Sequence, residues 1–184
     1  MSKRKPPQGK KINPQFWVFC EGETEEAYVE LLRGKYRIPI SIVPKVTGSS
    51  ISEAFIKKSK RGKPVDPKDR DFLMYDADVP ELMNKLRAVP NTTLFLSNPC
   101  IELWFLLHYK GQQAALTASD CIRELSNRNH NSYRKGFIDQ KLRTKLVENC
   151  KTACERAKKL PEARNPSSNI YSFIEILEAQ KSEK

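Results

Sequence analysis

Glu21, Asp76 and Asp78 each follow a short apolar run, a placement that suits chemistry better than solubility. Open α/β sheets bind ligands beyond the carboxyl ends of their strands, so acids at those ends fall where a site would form. Carboxylates gathered there repel one another and raise each other's pKa, which a cation relieves. Oxygen donors without paired His or Cys select Mg²⁺ or Mn²⁺ over zinc. Such an ion orients water, polarises a phosphoryl oxygen and stabilises the leaving oxygen of a phosphodiester. The overall charge suits that substrate: 33 Lys+Arg against 22 Asp+Glu give +11, which points to a polyanion, DNA or RNA, as partner.

Alternating strands and helices would have to bring these acids together. Residues 16–32, FWVFCEGETEEAYVELL, read as strand, tight turn and helix. Thr24 suits the N-cap, Glu25 and Glu26 favour the first turn, and Gly34 can end the helix. Capping accounts for Glu25 and Glu26 and leaves Glu21 unexplained. Residues 38–46 read as a second strand, which Pro39 and Pro44 push to a sheet edge or a bulge. A helix over 52–60, with Ser50 and Glu53 at capping-box spacing, leads into a basic cluster in which Lys57, Lys58 and Arg61 are candidate nucleic-acid contacts.

The third strand, 71–75, runs into Asp76-Ala77-Asp78. Asp78 and Glu81 form a capping box for a helix over 80–88. Asp76 has no such role, and alternation predicts that it projects with Asp78 to one side of the sheet end. After a fourth strand, 92–96, Asn98 is positioned to cap and Pro99 to begin a helix that is apolar almost all round. Glu102 within it is either a dipole-favoured acid or a buried carboxylate needing a partner. His108 reads as a hydrogen-bonded core histidine.

From residue 111 the pattern is helical and more polar, with helices over 117–126, 139–160 and 170–180. The loop NRNHNSYRKG between the first two is either a solvated connection or, through Tyr133, Arg134 and Lys135, a stacking and phosphate-contact surface. These elements predict an α/β fold: a mostly parallel four-stranded sheet flanked by helices, in one domain over 15–184 whose part from 111 to 184 is a helical C-terminal extension. Residues 1–14 suit a flexible basic arm, either a solubilising tail or a phosphate contact. Five cysteines without paired CxxC spacing read as reduced thiols of a cytoplasmic protein. No apolar stretch is long enough to span a membrane, and no P-loop motif occurs.

Glu21-Gly22 followed by Asp76-Ala77-Asp78 resembles the toprim domain of topoisomerases, primases and OLD-type nucleases. The ordered set CEGETEEAYVELL, YDAD, SNPCIELWFLLHY, YRKG and NPSSNIYSFIEIL is similar to the RloB-like family, which is associated with prokaryotic restriction and abortive-infection loci. The resemblance implies a toprim-like fold and a metal-dependent nuclease used in anti-phage defence, with Glu21, Asp76 and Asp78 holding Mg²⁺ or Mn²⁺. It adds Glu25 and Glu102 to the metal shell and matches Lys135 to the catalytic lysine. Any energy-coupled partner would be a separate ATPase chain, and the oligomeric state stays open, a dimer included. A non-catalytic module that binds nucleic acid or a partner protein through the same acids is the alternative, and recognition of a metal-nucleotide is a third.

Overall fold

The computed structural model describes residues 14–182 apart from Lys45, Ser49 and Ala163. The arm expected over residues 1–14 therefore lies, but for Pro14, outside the described residues. The chain runs β1 (Phe16–Cys20), α1 (Glu23–Tyr36), β2 (Ile40–Val43), α2 (Glu53–Lys60), β3 (Arg70–Asp76), α3 (Pro80–Arg87), β4 (Thr92–Asn98) and α4 (Ile101–Leu107). It continues with α5 (Ala118–Arg128), α6 (Gln140–Glu148), α7 (Cys150–Lys158), β5 (Ser167–Ser168) and α8 (Ile170–Ser182).

The strands form one sheet in the order β2-β1-β3-β4-β5. The first four are parallel, and β5 pairs antiparallel with the end of β4. Strand alternation divides the core. Phe16, Val18, Cys20, Phe72, Met74 and Phe95 face α1, α4 and α8. Trp17, Phe19, Leu73 and Tyr75 face α2 and α3. Helices therefore cover both faces, as the alternation predicts, and β2 takes the edge that its flanking prolines favour.

The sheet has five strands rather than four. β5 is two serines with no β-branched signature, and it is held by polar contacts: Ser97 Oγ meets Ser168 Oγ at 2.9 Å. The Asn169 side chain accepts the Leu96 N–H at 2.6 Å and donates to the Leu94 carbonyl at 3.0 Å. A side-chain amide thus satisfies backbone groups that a longer strand would have paired.

Helix ends also differ from the spacing-based expectation. Gly22, not Thr24, is the N-cap of α1, and Arg37 in the left-handed region closes that helix in place of Gly34. Ser52, not Ser50, caps α2 by accepting the Phe55 N–H. Val79 rather than Asp78 occupies the N-cap of α3, and Cys100 rather than Asn98 that of α4, because Asn98 continues β4. The helix expected over 139–160 breaks at Asn149, whose side chain donates to the His108 carbonyl at 2.7 Å. His108 is a core histidine, fully buried with Nδ1 against the Trp104 carbonyl at 2.9 Å. Among the described residues no helix is long and apolar enough to cross a membrane.

Candidate metal centre

Strand order reverses between β1 and β3, since the chain leaves β1 toward β2 on one side and takes up β3 on the other. A crevice opens at the carboxyl ends of such a strand pair. Glu21 follows β1 and Asp76 ends β3, so the topology alone delivers both acids to this crevice. A pocket of about 350 Å³ lies there, lined by Glu21, Glu25, Asp76, Glu102 and Lys135 together with the first turns of α1 and α4.

Three of these carboxylates are anchored through one oxygen. Glu21 Oε2 accepts the Asp76 N–H at 2.9 Å. Asp76 Oδ1 accepts the Ile101 N–H at 2.9 Å, so the aspartate of β3 caps α4 in place of a local side chain. Glu102 Oε1 accepts the Tyr133 hydroxyl at 2.7 Å. The other oxygens, Glu21 Oε1 and Asp76 Oδ2, stay outside these bonds, and Glu102 Oε2 is buried with no hydrogen-bond partner. A buried carboxylate oxygen left unpaired is costly, a cost that a cation or a water would relieve.

Glu25 completes the acidic wall from the first turn of α1. A Cβ on Gly22 would lie 3.0 Å from Glu25 Oε2, so the glycine makes room for this carboxylate to fold back over the helix start. Burial lifts Glu25 to a pKa of about 7, against the lowering pull of the backbone N–H groups of Glu25 and Gly22, with the charges of Glu102 and Glu21 adding to the rise. Burial lifts Asp76 further, to about 9, helped by the negative charges of Glu25, Glu21 and Glu102. Glu21 is raised by burial and by Asp78, and lowered by the Asp76 N–H and by Lys135. These acids therefore share one electrostatic environment.

Lys135 supplies the facing positive charge, with Nζ 4.0 Å from Glu102 Oε1 and a side chain 60% exposed. It rides on a tight turn in which Arg134 and Phe137 form an isolated antiparallel bridge. Gly136 in that turn has φ +71° and donates its N–H to Thr24 Oγ1 at 3.1 Å. Thr24 thus pins the turn against α1 rather than capping the helix. Sequence reading offers Tyr133 only as a nucleic-acid contact and Thr24 only as a cap; their roles here, holding Glu102 and the Gly136 turn, rest on contacts that span 31 and 112 residues of sequence.

Ala77 still bonds the Ser97 carbonyl through its N–H, and Asp78, the next residue, is exposed and outside the pocket lining. Its charge nevertheless reaches Glu21. Lys57, Lys58 and Arg61 sit at the opposite edge of the sheet. The end of α2 is fixed there by Lys60, which pairs with Asp71 near the start of β3 and lies with Lys63 over the Trp17 ring. Along β3, Asp71 and Asp76 are separated by roughly 17 Å, so this basic cluster is not beside the acids. Tyr133 is half-buried and engaged with Glu102 rather than displayed for stacking, while Arg134 is exposed beside Phe137.

A larger hollow of about 420 Å³ between α3 and the segment joining α7 to β5 gathers no group of carboxylates. The acid pocket itself offers oxygen donors of the type that suits Mg²⁺ or Mn²⁺. Among the described residues, however, no three Asp, Glu, His or Cys side chains are already closed into a metal-binding cluster.

No curated protein and no solved structure matches the chain. The model of the RloB-like protein family matches residues 16–177, a span that begins with β1, ends within α8 and contains every residue of the pocket, and the chain belongs to that family.

Proposed function

We propose that this protein is a Mg²⁺- or Mn²⁺-dependent nuclease with a toprim-like site that hydrolyses phosphodiesters of DNA or RNA, in prokaryotic defence against phage. The observation that carries the reading is the set of half-anchored carboxylates. Glu21, Asp76 and Glu102 each line the same pocket, and each is oriented by one neutral donor that leaves a second oxygen outside that bond. Neutral donors that fix a ligand's orientation are what metal sites require of their surroundings. Mutual repulsion among Asp76, Glu25, Glu21 and Glu102 is a cost that a dication relieves.

Glu21, Glu25, Asp76 and Glu102 would hold the ion, with Asp78 at the rim. Bound there, the ion supplies Lewis-acid polarisation of the phosphoryl oxygen and a water of lowered pKa. Lys135, at the mouth beside Glu102, attracts the phosphate and opposes the charge that builds on it. Tyr133 keeps Glu102 turned toward the pocket.

The test is incubation of the purified full chain with DNA and with RNA in Mg²⁺, Mn²⁺ or chelator. Cleavage that requires the metal and is lost in Asp76→Asn supports the reading. Identical behaviour of wild type and Asp76→Asn with every metal and substrate refutes it. Asp76 also caps α4, which favours a second reading in which the acids serve architecture and the protein only binds nucleic acid. Such a binder would hold its ligand with steep salt dependence and be indifferent to chelator.

A further inference from the structure

Phe137 is 51% exposed, the one aromatic among the large exposed apolar side chains of the described residues. A single exposed phenylalanine needs no explanation by itself, but this one is fixed beside the candidate site. It forms the isolated bridge with Arg134, and its N–H bonds the Arg134 carbonyl at 3.2 Å. The guanidinium carbon of Arg134 lies over the ring, 4.8 Å from its centroid. The turn between them carries Lys135, which lines the acid pocket, and Gly136, which is bonded to Thr24 of α1.

The turn therefore presents a cation–π pair and an ammonium group as one unit on a braced backbone. Beside Gly136, Glu23, Glu26 and Glu30 line a shallow hollow, Glu30 paired with Arg33, and this acidic flank is less favourable to phosphate than the Arg134–Lys135 side. Arg134 and Lys135 are left as the side along which a nucleic-acid backbone can run.

We infer that Phe137, with Arg134 stacked on it, is a base-stacking platform for single-stranded nucleic acid, seating one unpaired base next to the phosphate that Lys135 receives. This rests on the nuclease reading and names its substrate class. An aromatic face accepts any base, whereas bases within a duplex are stacked on one another and not available to it. A platform of this kind selects single strands, loops or frayed ends over continuous duplex.

The experiment places the reporter in the platform. Trp17 and Trp104 are fully buried, so in Phe137→Trp the new indole is the tryptophan that solvent and oligonucleotide can reach. With chelator present and at low salt, an oligothymidylate of about ten nucleotides is expected to quench its emission, and a duplex of the same length to leave it unchanged. Phe137→Ala and Phe137→Leu are each expected to weaken single-strand affinity by about tenfold in fluorescence anisotropy, the loss of one stacked base. Circular dichroism confirms that both variants are folded.

Unchanged emission, quenching by duplex equal to that by single strand, or full affinity in Phe137→Leu would each overturn the platform. Because these measurements are made without metal, they separate the two ideas. Metal-dependent cleavage without quenching removes the platform alone, and quenching without cleavage under any metal removes the nuclease alone.

Discussion

The Glu21 carboxylate holds the backbone N–H of Asp76 at 2.9 Å across 55 residues of sequence. That bond ties the ends of β1 and β3 together at the point where strand order reverses. It also means that each acid helps to fix the other: Glu21 positions the residue whose own carboxylate then caps α4 through Ile101.

Asp76 makes stability depend on pH in the metal-free protein. Its ordinary value is 3.8 and its folded value is about 9. Below the ordinary value both folded and unfolded chains keep the proton, and the group is neutral in its effect. As pH rises toward 9 the unfolded chain releases a proton that the folded chain retains, so stability falls and the loss is complete above the folded value. Glu25 adds a smaller loss in the same sense, ending near pH 7. Thermal unfolding in chelator should therefore shift downward from pH 5 to pH 9, and Asp76→Asn should flatten the dependence while raising stability at pH 8. Added Mn²⁺ should restore the wild type at pH 8 and leave Asp76→Asn unmoved.

Tyr133→Phe removes one hydroxyl and leaves Glu102 buried with neither oxygen bonded to a neutral donor. A destabilisation of about 1–3 kcal/mol is expected from denaturant titration. Cleavage should fall more steeply than this fraction of unfolding explains, because Glu102 loses its orientation. Equal rates at saturating metal would contradict the positioning role.

Lys135→Ala is expected to lower the cleavage rate by about 10²–10³-fold, as for loss of one group that stabilises transition-state charge. Joint substitution of Lys57, Lys58 and Arg61 by Ala should leave the rate within about threefold, since that cluster lies at the far edge of the sheet and exposed charges are screened over ~10 Å. Rates measured in single turnover distinguish the two sets.

Asn169→Ala would strip two bonds from β4 and leave the Leu96 N–H and Leu94 carbonyl to seek other partners. A loss of about 2 kcal/mol is expected in denaturant unfolding. Faster exchange of the β4 amides should accompany it, with no change in Mn²⁺ affinity.

The four parallel strands were readable because each is a compact apolar run closed by a turn or an acid, and the same pattern placed Glu21 and Asp76 at one edge. β5 was not, since two serines and an asparagine pair through side-chain oxygen and amide groups that carry no periodic signal. Asp78 lies one residue past the last backbone bond of the β3 segment, where strand pairing no longer fixes which side a residue faces, and its exposure carries no periodic signal. The partner of Glu102 was hidden for another reason: a buried acid announces that it needs a donor, and nothing local says that the donor is Tyr133. Phe137 was passed over because a lone phenylalanine in a polar loop gains meaning only once Arg134 is known to cover it.

The long exposed connection after α4 has a further consequence. Gly111, Gln113, Ala114 and Ala115 are all exposed there, while beyond it Asn165 clasps Leu116 through two bonds and Tyr133 reaches back across it to Glu102. A polypeptide divided within this connection would part the acids from their tyrosine and lysine, so neither half could reconstitute the centre alone. Mixing the halves would then act as a split reporter, in which recovered turnover measures reassembly of the two pieces.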